Sequence, residues 1–310
     1  MKNQKLSFIS TIIIIANPAS IFFTAVYTES LFTLVTLFSF YLFFSNIEKV
    51  EEKGFLDYFR ILRAPIGLLM ISVFIRSNAL FYISIPGYYI LKDFISCIFD
   101  HKIKKAFMLI FIGLLSLILL MVPYFMVVYY ADLIYCSVNS EAKPPYCFES
   151  FQNAYDYNQK KHWNVGFLEQ YKLSRIIFIY WGLHTLIIVG LLIIGFLKEK
   201  WLSFCTLGFL GEKKENKEYS EKWNPFMIYT LILFAISVFL AHTQSCTRFF
   251  SSCPCFSWYL ASQIFGFQKS VDSNEKEEEK LTIQNKWLLL YIIYFNVAGH
   301  CMFSNYLPWT

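Results

Sequence analysis

Long apolar runs, each ended or interrupted by a few polar residues, set the plan of this chain. A bilayer crossing needs roughly 20 apolar residues. The runs that approach this length are Leu6 to Ala25, broken in part by Pro18, then Ser30 to Phe44, Pro65 to Leu91, Ala106 to Tyr130, Ile176 to Leu197, Pro225 to His242, Phe249 to Phe265 and Trp287 to Phe303. They predict about seven or eight crossings. The stretch from Pro65 to Leu91 is flanked by Lys49, Lys53, Arg60 and Arg63 on one side and by Lys92, Lys102, Lys104 and Lys105 on the other. Cationic loops stay in the cytoplasm, so this stretch enters and returns by the same face. It is too short for two full spans and predicts a short helical hairpin over 65–91, Pro65 to Ile75 and Ala79 to Leu91. Arg76, Ser77 and Asn78 form a tip that protein or a water-filled cavity must surround.

Beyond the hairpin the sides alternate. Residues 131–175 read as a luminal loop, and 198–224 and 266–286 as cytoplasmic loops, the last carrying a Glu275-Lys276-Glu277-Glu278-Glu279-Lys280 run that reads as a solvated tether. The prediction is one multispan membrane domain over 1–310, with no internal repeat of the kind common in transporters.

Asn17 to Leu34 break the apolar pattern most informatively. Pro18 lacks a backbone donor and pushes Asn17 out of helical geometry, so the first helix ends there. Thr28, Glu29 and Ser30 then open the next run, and a glutamate in a first helical turn suits the positive end of the helix. The carboxylate is either part of a capped turn or part of a site, since carboxylates at membrane depth tend to be functional.

Composition supports the membrane assignment. Hydrophobic residues make up 56%, aromatics 20% and charged residues 16% of the chain, a balance unlike that of soluble domains. A formal charge of +5, with lysines spread between apolar runs, argues against nucleic acid as a partner. No cleavable leader, lipidation motif or retrieval signal is recognisable, so internal spans do the targeting. Of the eight cysteines, none forms a C-x-x-C pair, and Cys253-Pro254-Cys255 is too tight for one. Cys136 and Cys147 share one polar loop, where an oxidising lumen permits a bridge; two free thiols are the alternative.

Arg76 is the strongest single charge signal. An arginine at a hairpin tip needs a partner, and phosphate or carboxylate fits its planar fork. A buried carboxylate such as Glu29 is the structural alternative to a ligand. Arg248, at the luminal end of a span, either meets a lipid-linked phosphate or snorkels to the surface. In the luminal loop, Tyr155, Trp163 and Tyr171 have flat amphipathic rings suited to the membrane interface or to a sugar face. His162 is a lone loop histidine, and His184 and His300 read as packed helix residues.

Six separated pieces, in order, resemble the glycosylphosphatidylinositol mannosyltransferase 2 family: NPASIFFTAVYTESLF at 17–32, RSNAL at 76–80, PPYCF at 144–148, WNVGFL at 163–168, TRFFSSCP at 247–254 and NYLPWT at 305–310. The resemblance implies an all-α, polytopic, GT-C-like glycosyltransferase of the endoplasmic reticulum membrane. It implies transfer of the second mannose, in α-1,6 linkage, from dolichyl-phosphate mannose to a mannosyl-glucosaminyl-phosphatidylinositol precursor on the luminal side. The implied partners are the lipid-linked donor and acceptor, with room for an accessory membrane subunit. An inverting displacement of this kind needs a carboxylate for the acceptor proton and cations for the departing phosphate, so no metal or other cofactor is expected.

The resemblance further implies an earlier span and a first luminal loop whose Trp-Asp pair supplies the base. This chain contains no Trp-Asp pair, and the expectation is an amino-terminally incomplete copy; a protein that works without that base, or a non-catalytic relative that binds lipid-linked glycans, is the alternative. Carried over by position, Tyr27, Glu29 and Ser30, then Arg76 and Asn78, then Trp163, Asn164 and Gly166, and lastly Arg248 are the expected site residues. With the base unidentified, Glu29 is the candidate catalytic carboxylate. Arg76 or Arg248 is expected on the donor phosphate, Glu29 and Asn164 on sugar hydroxyls, and Trp163 on a mannose ring or anchoring the loop.

Overall fold

The computed structural model describes residues 4–48, 54–136, 143–148, 154–163, 165–172, 176–210, 217–241, 245–271 and 277–305. In chain order the helices are α1 (Gln4–Ile15), α2 (Ser20–Thr24), α3 (Glu29–Ile47), α4 (Phe55–Ile75), α5 (Ser84–Phe99), α6 (Ile103–Cys136), α7 (Ala154–Trp163), α8 (Ile176–Cys205), α9 (Lys217–Phe239), α10 (Cys246–Ser251), α11 (Pro254–Ile264) and α12 (Lys286–Ser304). Single 3-10 segments occupy Ser77–Ile83, Pro145–Phe148 and Glu169–Tyr171. Among the described residues, five helices (α3, α4, α6, α8 and α12) are long and apolar enough to cross a membrane. The result is a predominantly helical polytopic membrane fold with one small strand pair.

The break in the first run is well satisfied. α1 ends at Ile15, and the Asn17 side chain serves the turn on both sides: Oδ1 accepts from the Ala19 N–H at 2.7 Å and Nδ2 donates to the Ile14 carbonyl at 2.7 Å. Asn296 of α12 supplies the rest, donating to the Ala16 and Asn17 carbonyls at 2.9 and 3.0 Å and accepting from the Ser20 hydroxyl. Carbonyls that a proline leaves without helical partners are thereby paired inside the protein, as a membrane interior requires.

The short hairpin predicted over 65–91 is instead two longer helices. α4 has 21 residues, about 31 Å at 1.5 Å per residue. It begins inside the stretch read as a charged loop, where Asp57 Oδ2 accepts from the Gly54 N–H at 3.1 Å. α5 likewise continues past Lys92 to Phe99, and the Tyr58 hydroxyl donates to Asp93 to tie the charged ends together. Helical geometry outlasts the apolar run at both ends because these charged turns have side-chain partners. Pro65, taken as a helix start, lies within α4, and its carbonyl accepts from Ser39 of α3 at 2.9 Å.

Three other boundaries differ from the predicted ones. α6 runs through the expected loop start at 131 to Cys136, and α8 passes Leu197 to reach Cys205. The single span expected from Phe249 to Phe265 is split into α10 and α11, because Cys253 is extended and Pro254 opens a new helix. Where a solvated tether was expected, β1 (Phe265–Val271) and β2 (Glu277–Ile283) form an antiparallel hairpin in which Phe265 faces Ile283 and Val271 faces Glu277.

α3 packs on α4, α4 and α5 on α6, α5 and α8 on α9, and α1 on α11. Their shared interior is aromatic: the Tyr82 and Tyr229 rings stack at 3.9 Å, Phe40 meets Tyr82 edge-on at 4.9 Å and Phe226 at 5.3 Å. α6 is the opposite case. Phe107, Phe111, Ile118 and Phe125 all face outward, an apolar surface that suits lipid.

Candidate functional site

Three separated elements bring charge to one point. Glu29 begins α3, and the helix start suits a carboxylate. Arg76 follows the last residue of α4 in an extended conformation, which turns its side chain out of the helix. Arg248 lies in the short helix α10. Glu29 is wholly buried, and its Oε1 accepts from Arg76 Nη1 and from both Nε (2.7 Å) and Nη2 of Arg248. Glu29 is 47 residues from Arg76 and 219 from Arg248 along the chain, so only the fold assembles the cluster.

Aromatic faces hold the two cations from their other sides. The Arg248 guanidinium lies 4.3 Å from the Phe22 ring centre and 5.3 Å from that of Tyr27. Arg76 lies 5.6 Å from Phe32 and 5.7 Å from Phe249. Such contacts stabilise a desolvated cation by about 2 kcal/mol or more, and they hold each guanidinium group from faces that the Glu29 carboxylate does not occupy.

Arg76, Asn78 and Arg248 line one cleft of about 590 Å³, with Tyr124, Tyr155 and Gln159 on its other walls. The volume is that of a site for a small organic ligand or part of a larger one. Asn78 lines this cleft and is 9% exposed, and its enclosed Nδ2 has no hydrogen-bond partner among the described residues. Ser77 and Tyr155 share a 2.7 Å hydrogen bond, and the Tyr155 ring meets Tyr124 edge-on at 5.6 Å. α7 is thereby fixed over the cleft.

The chain following α7 is docked through its backbone. The N–H groups of Val165, Gly166 and Leu168 donate to the carbonyls of Gln159, Leu240 and Phe239 at 3.0, 3.2 and 2.8 Å. Gln170 and Tyr171 add side-chain bonds to the Val238 carbonyl. A methyl group on Gly166 would lie 2.9 Å from the Glu169 Cγ, so this glycine serves the close packing of the turn. A disulfide joins Cys136, at the end of α6, to Cys147 in the Pro145–Phe148 segment. Beside it, loss of solvent and then the Asp132 carboxylate raise the Tyr146 phenol above its ordinary value.

Several expected site residues stand elsewhere. Glu29, the candidate catalytic carboxylate, does not line the cleft; it sits behind both arginines, whose bonds occupy Oε1. Its position suits holding the arginines better than meeting an acceptor hydroxyl. Ser30 is exposed and outside the cleft lining, and Tyr27 reaches the cluster only through its ring. Trp163 closes α7, and Asn164 lies outside the described residues. His184 and His300 bond to the carbonyls four residues earlier in their own helices. Tyr124 and Gln159 were not singled out from the sequence. One is an aromatic in an apolar run and the other a glutamine in a polar loop, and neither carries a signal without the fold.

The family described as Mannosyltransferase (PIG-V) matches residues 1–310. The chain belongs to the PIG-V mannosyltransferase family. It is similar to GPI mannosyltransferase 2 of Drosophila pseudoobscura pseudoobscura, 25% identical over 331 residues that cover 95% of this chain and 65% of the relative. It is also similar to GPI alpha-1,6-mannosyltransferase 2 of Homo sapiens, at 23% identity with 98% and 70% covered. GPI mannosyltransferase 2 of Aspergillus fumigatus is 25% identical, with 99% and 68% covered. The chain spans about two thirds of the length of these curated relatives. No solved structure matches it. Within this PIG-V family chain, the pieces NPASIFFTAVYTESLF, RSNAL and TRFFSSCP are the ones that meet at the charged cluster.

Proposed function

We propose that this chain takes part in glycosylphosphatidylinositol-anchor synthesis as a mannosyltransferase of the endoplasmic reticulum membrane. It acts on the luminal side, moving the second mannose in α-1,6 linkage from dolichyl-phosphate mannose to a lipid-linked acceptor. Family membership and the names of the relatives support the reaction class. The observation that carries the reading at this chain's own residues is the pair of guanidinium groups, Arg76 and Arg248, on the wall of one cleft that Asn78, with its unpartnered Nδ2, also lines.

Transfer breaks the bond between the anomeric carbon and a phosphate oxygen, so negative charge gathers on the phosphate. Fixed guanidinium donors in a water-poor site stabilise that charge most effectively. Arg76 and Arg248 take this role, and the Asn78 amide donates to a phosphate or sugar oxygen. The Tyr124 and Tyr155 rings offer the walls a sugar face needs. Glu29 is not assigned the role of base, because its Oε1 is taken by both arginines and its enclosed Oε2 belongs to a residue outside the cleft lining.

The test is complementation. The 310-residue chain is expressed in cells lacking the second glycosylphosphatidylinositol mannosyltransferase, and surface-anchored protein is followed with the lipid intermediates. Restored anchoring that Arg76→Ala and Arg248→Ala each abolish supports the reading; accumulation of the one-mannose intermediate with the wild-type 310-residue chain present at normal level overturns it.

A further inference from the structure

Two cations and one anion meet at the cleft, and the balance is unequal. Among the described residues Arg76 and Arg248 are the charged side chains lining it, and Glu29, directly behind them, is the acidic partner of both. Formal charges leave the cluster at +1. A second independent feature marks the wall as a ligand surface: Asn78, nine-tenths buried, with its Nδ2 unpartnered.

We propose that Glu29 is a positioning and specificity-determining residue that holds this anion subsite at a single positive charge, matching a phosphodiester monoanion and weakening retention of a phosphate monoester dianion. The proposal rests on the mannosyl-transfer reading given above. In that reaction the carbon–oxygen bond to phosphate breaks and its electron pair stays on the phosphate oxygen. The acceptor oxygen forms the new bond to carbon, and its proton leaves to a base. A diester carrying one negative charge thus becomes a monoester carrying about −1.5 to −2 at pH 7. A wall with two uncompensated arginines would bind that product most tightly and slow its departure. Glu29 removes one unit of charge while its Oε1 fixes both guanidinium groups in place.

The test uses farnesyl phosphate and its monomethyl ester as probes of the full chain in detergent at pH 8, where the monoester is dianionic. The ratio of the two affinities is independent of how much of a variant is folded. Glu29→Gln raises the cluster by one charge and shifts the ratio toward the monoester by about tenfold or more. The double variant Glu29→Gln, Arg76→Gln restores the formal charge and returns the ratio to within about threefold of wild type. In transfer assays Glu29→Gln shows stronger inhibition by the monoester than wild type.

A ratio unmoved by Glu29→Gln, with both probes bound by wild type, overturns the charge-setting role and leaves the anion site standing. A shift that the double variant fails to reverse overturns it in favour of a purely geometric role. Failure of both probes to bind wild type, or binding untouched by Arg76→Gln and Arg248→Gln, overturns the anion site and the transfer reading with it.

Discussion

The hydroxyls of Ser77 and Tyr155 lie 2.7 Å apart across 78 residues of chain, joining the residue after Arg76 to the helix that roofs the cleft. Tyr155→Phe keeps the ring contact with Tyr124 and deletes only this bond, worth about 0.5–1.5 kcal/mol. Amide hydrogen exchange over α7 should rise, with a higher KM and a smaller change in kcat. Unchanged exchange in α7 would show that the roof is held by its other contacts.

Arg248 makes its bonds through two guanidinium nitrogens while resting on Phe22. Lysine offers one compact charge and cannot reproduce that fork. Arg248→Lys should therefore lose nearly as much transfer as Arg248→Ala, on the order of 10²-fold in kcat/KM. Steady-state assays on the purified variants check this. Full activity with lysine would mean that charge alone suffices.

Glu29→Ala leaves two partly buried cations without their shared anion, and should destabilise the protein by about 3–5 kcal/mol. Thermal unfolding in detergent measures it. Adding Arg76→Met in the same chain should recover part of the loss, because it removes one of the stranded charges.

Asn296 donates to two backbone carbonyls in the α1–α2 break. Asn296→Leu keeps the bulk, strands the Ala16 carbonyl and leaves the Asn17 carbonyl with the Ser20 N–H alone, and should cost about 1–3 kcal/mol. Ser20→Ala, which loses one hydroxyl contact, should cost less. The order of the two melting temperatures is the check.

The Cys136–Cys147 link closes a short loop, with a sequence separation of 11. A loop of this size is worth about 2–3 kcal/mol in chain entropy. Cys136→Ser, Cys147→Ser and the double variant should unfold at one common lower temperature. A double variant much worse than either single would mean that the thiols have other roles.

How much of this was legible in the sequence depends on where the cause lies. Pro18 and Glu29 act on their own neighbours, so the helix end at Ile15 and the start of α3 could be read directly. The length of α4 could not, because Arg60 and Arg63 look like loop charge until Asp57 is seen holding the helix start and pairing with Arg60 one turn on. Pro254 was visible as a residue but lost in an apolar run long enough to span, so the division between α10 and α11 was missed. An acidic run without apolar alternation likewise hid β2. At the site, Arg76 demanded a partner and Glu29 was a nameable one, whereas the convergence of Arg248 on the same oxygen is a tertiary fact that no local pattern encodes. Tyr124 and Gln159 gain meaning only from the cleft they line.

The bond pattern around Asn296 also has a biosynthetic side. The opened turn between α1 and α2 leaves the Ala16 carbonyl to the side chain of Asn296, and that amide, which also backs the Asn17 carbonyl, is made 280 residues later. A nascent chain must keep that polar gap within the translocon or beneath a holding factor until its last helix arrives. Chains terminated anywhere before Asn296 reach the bilayer with the gap open, and quality-control proteases have a ready mark by which to recognise them.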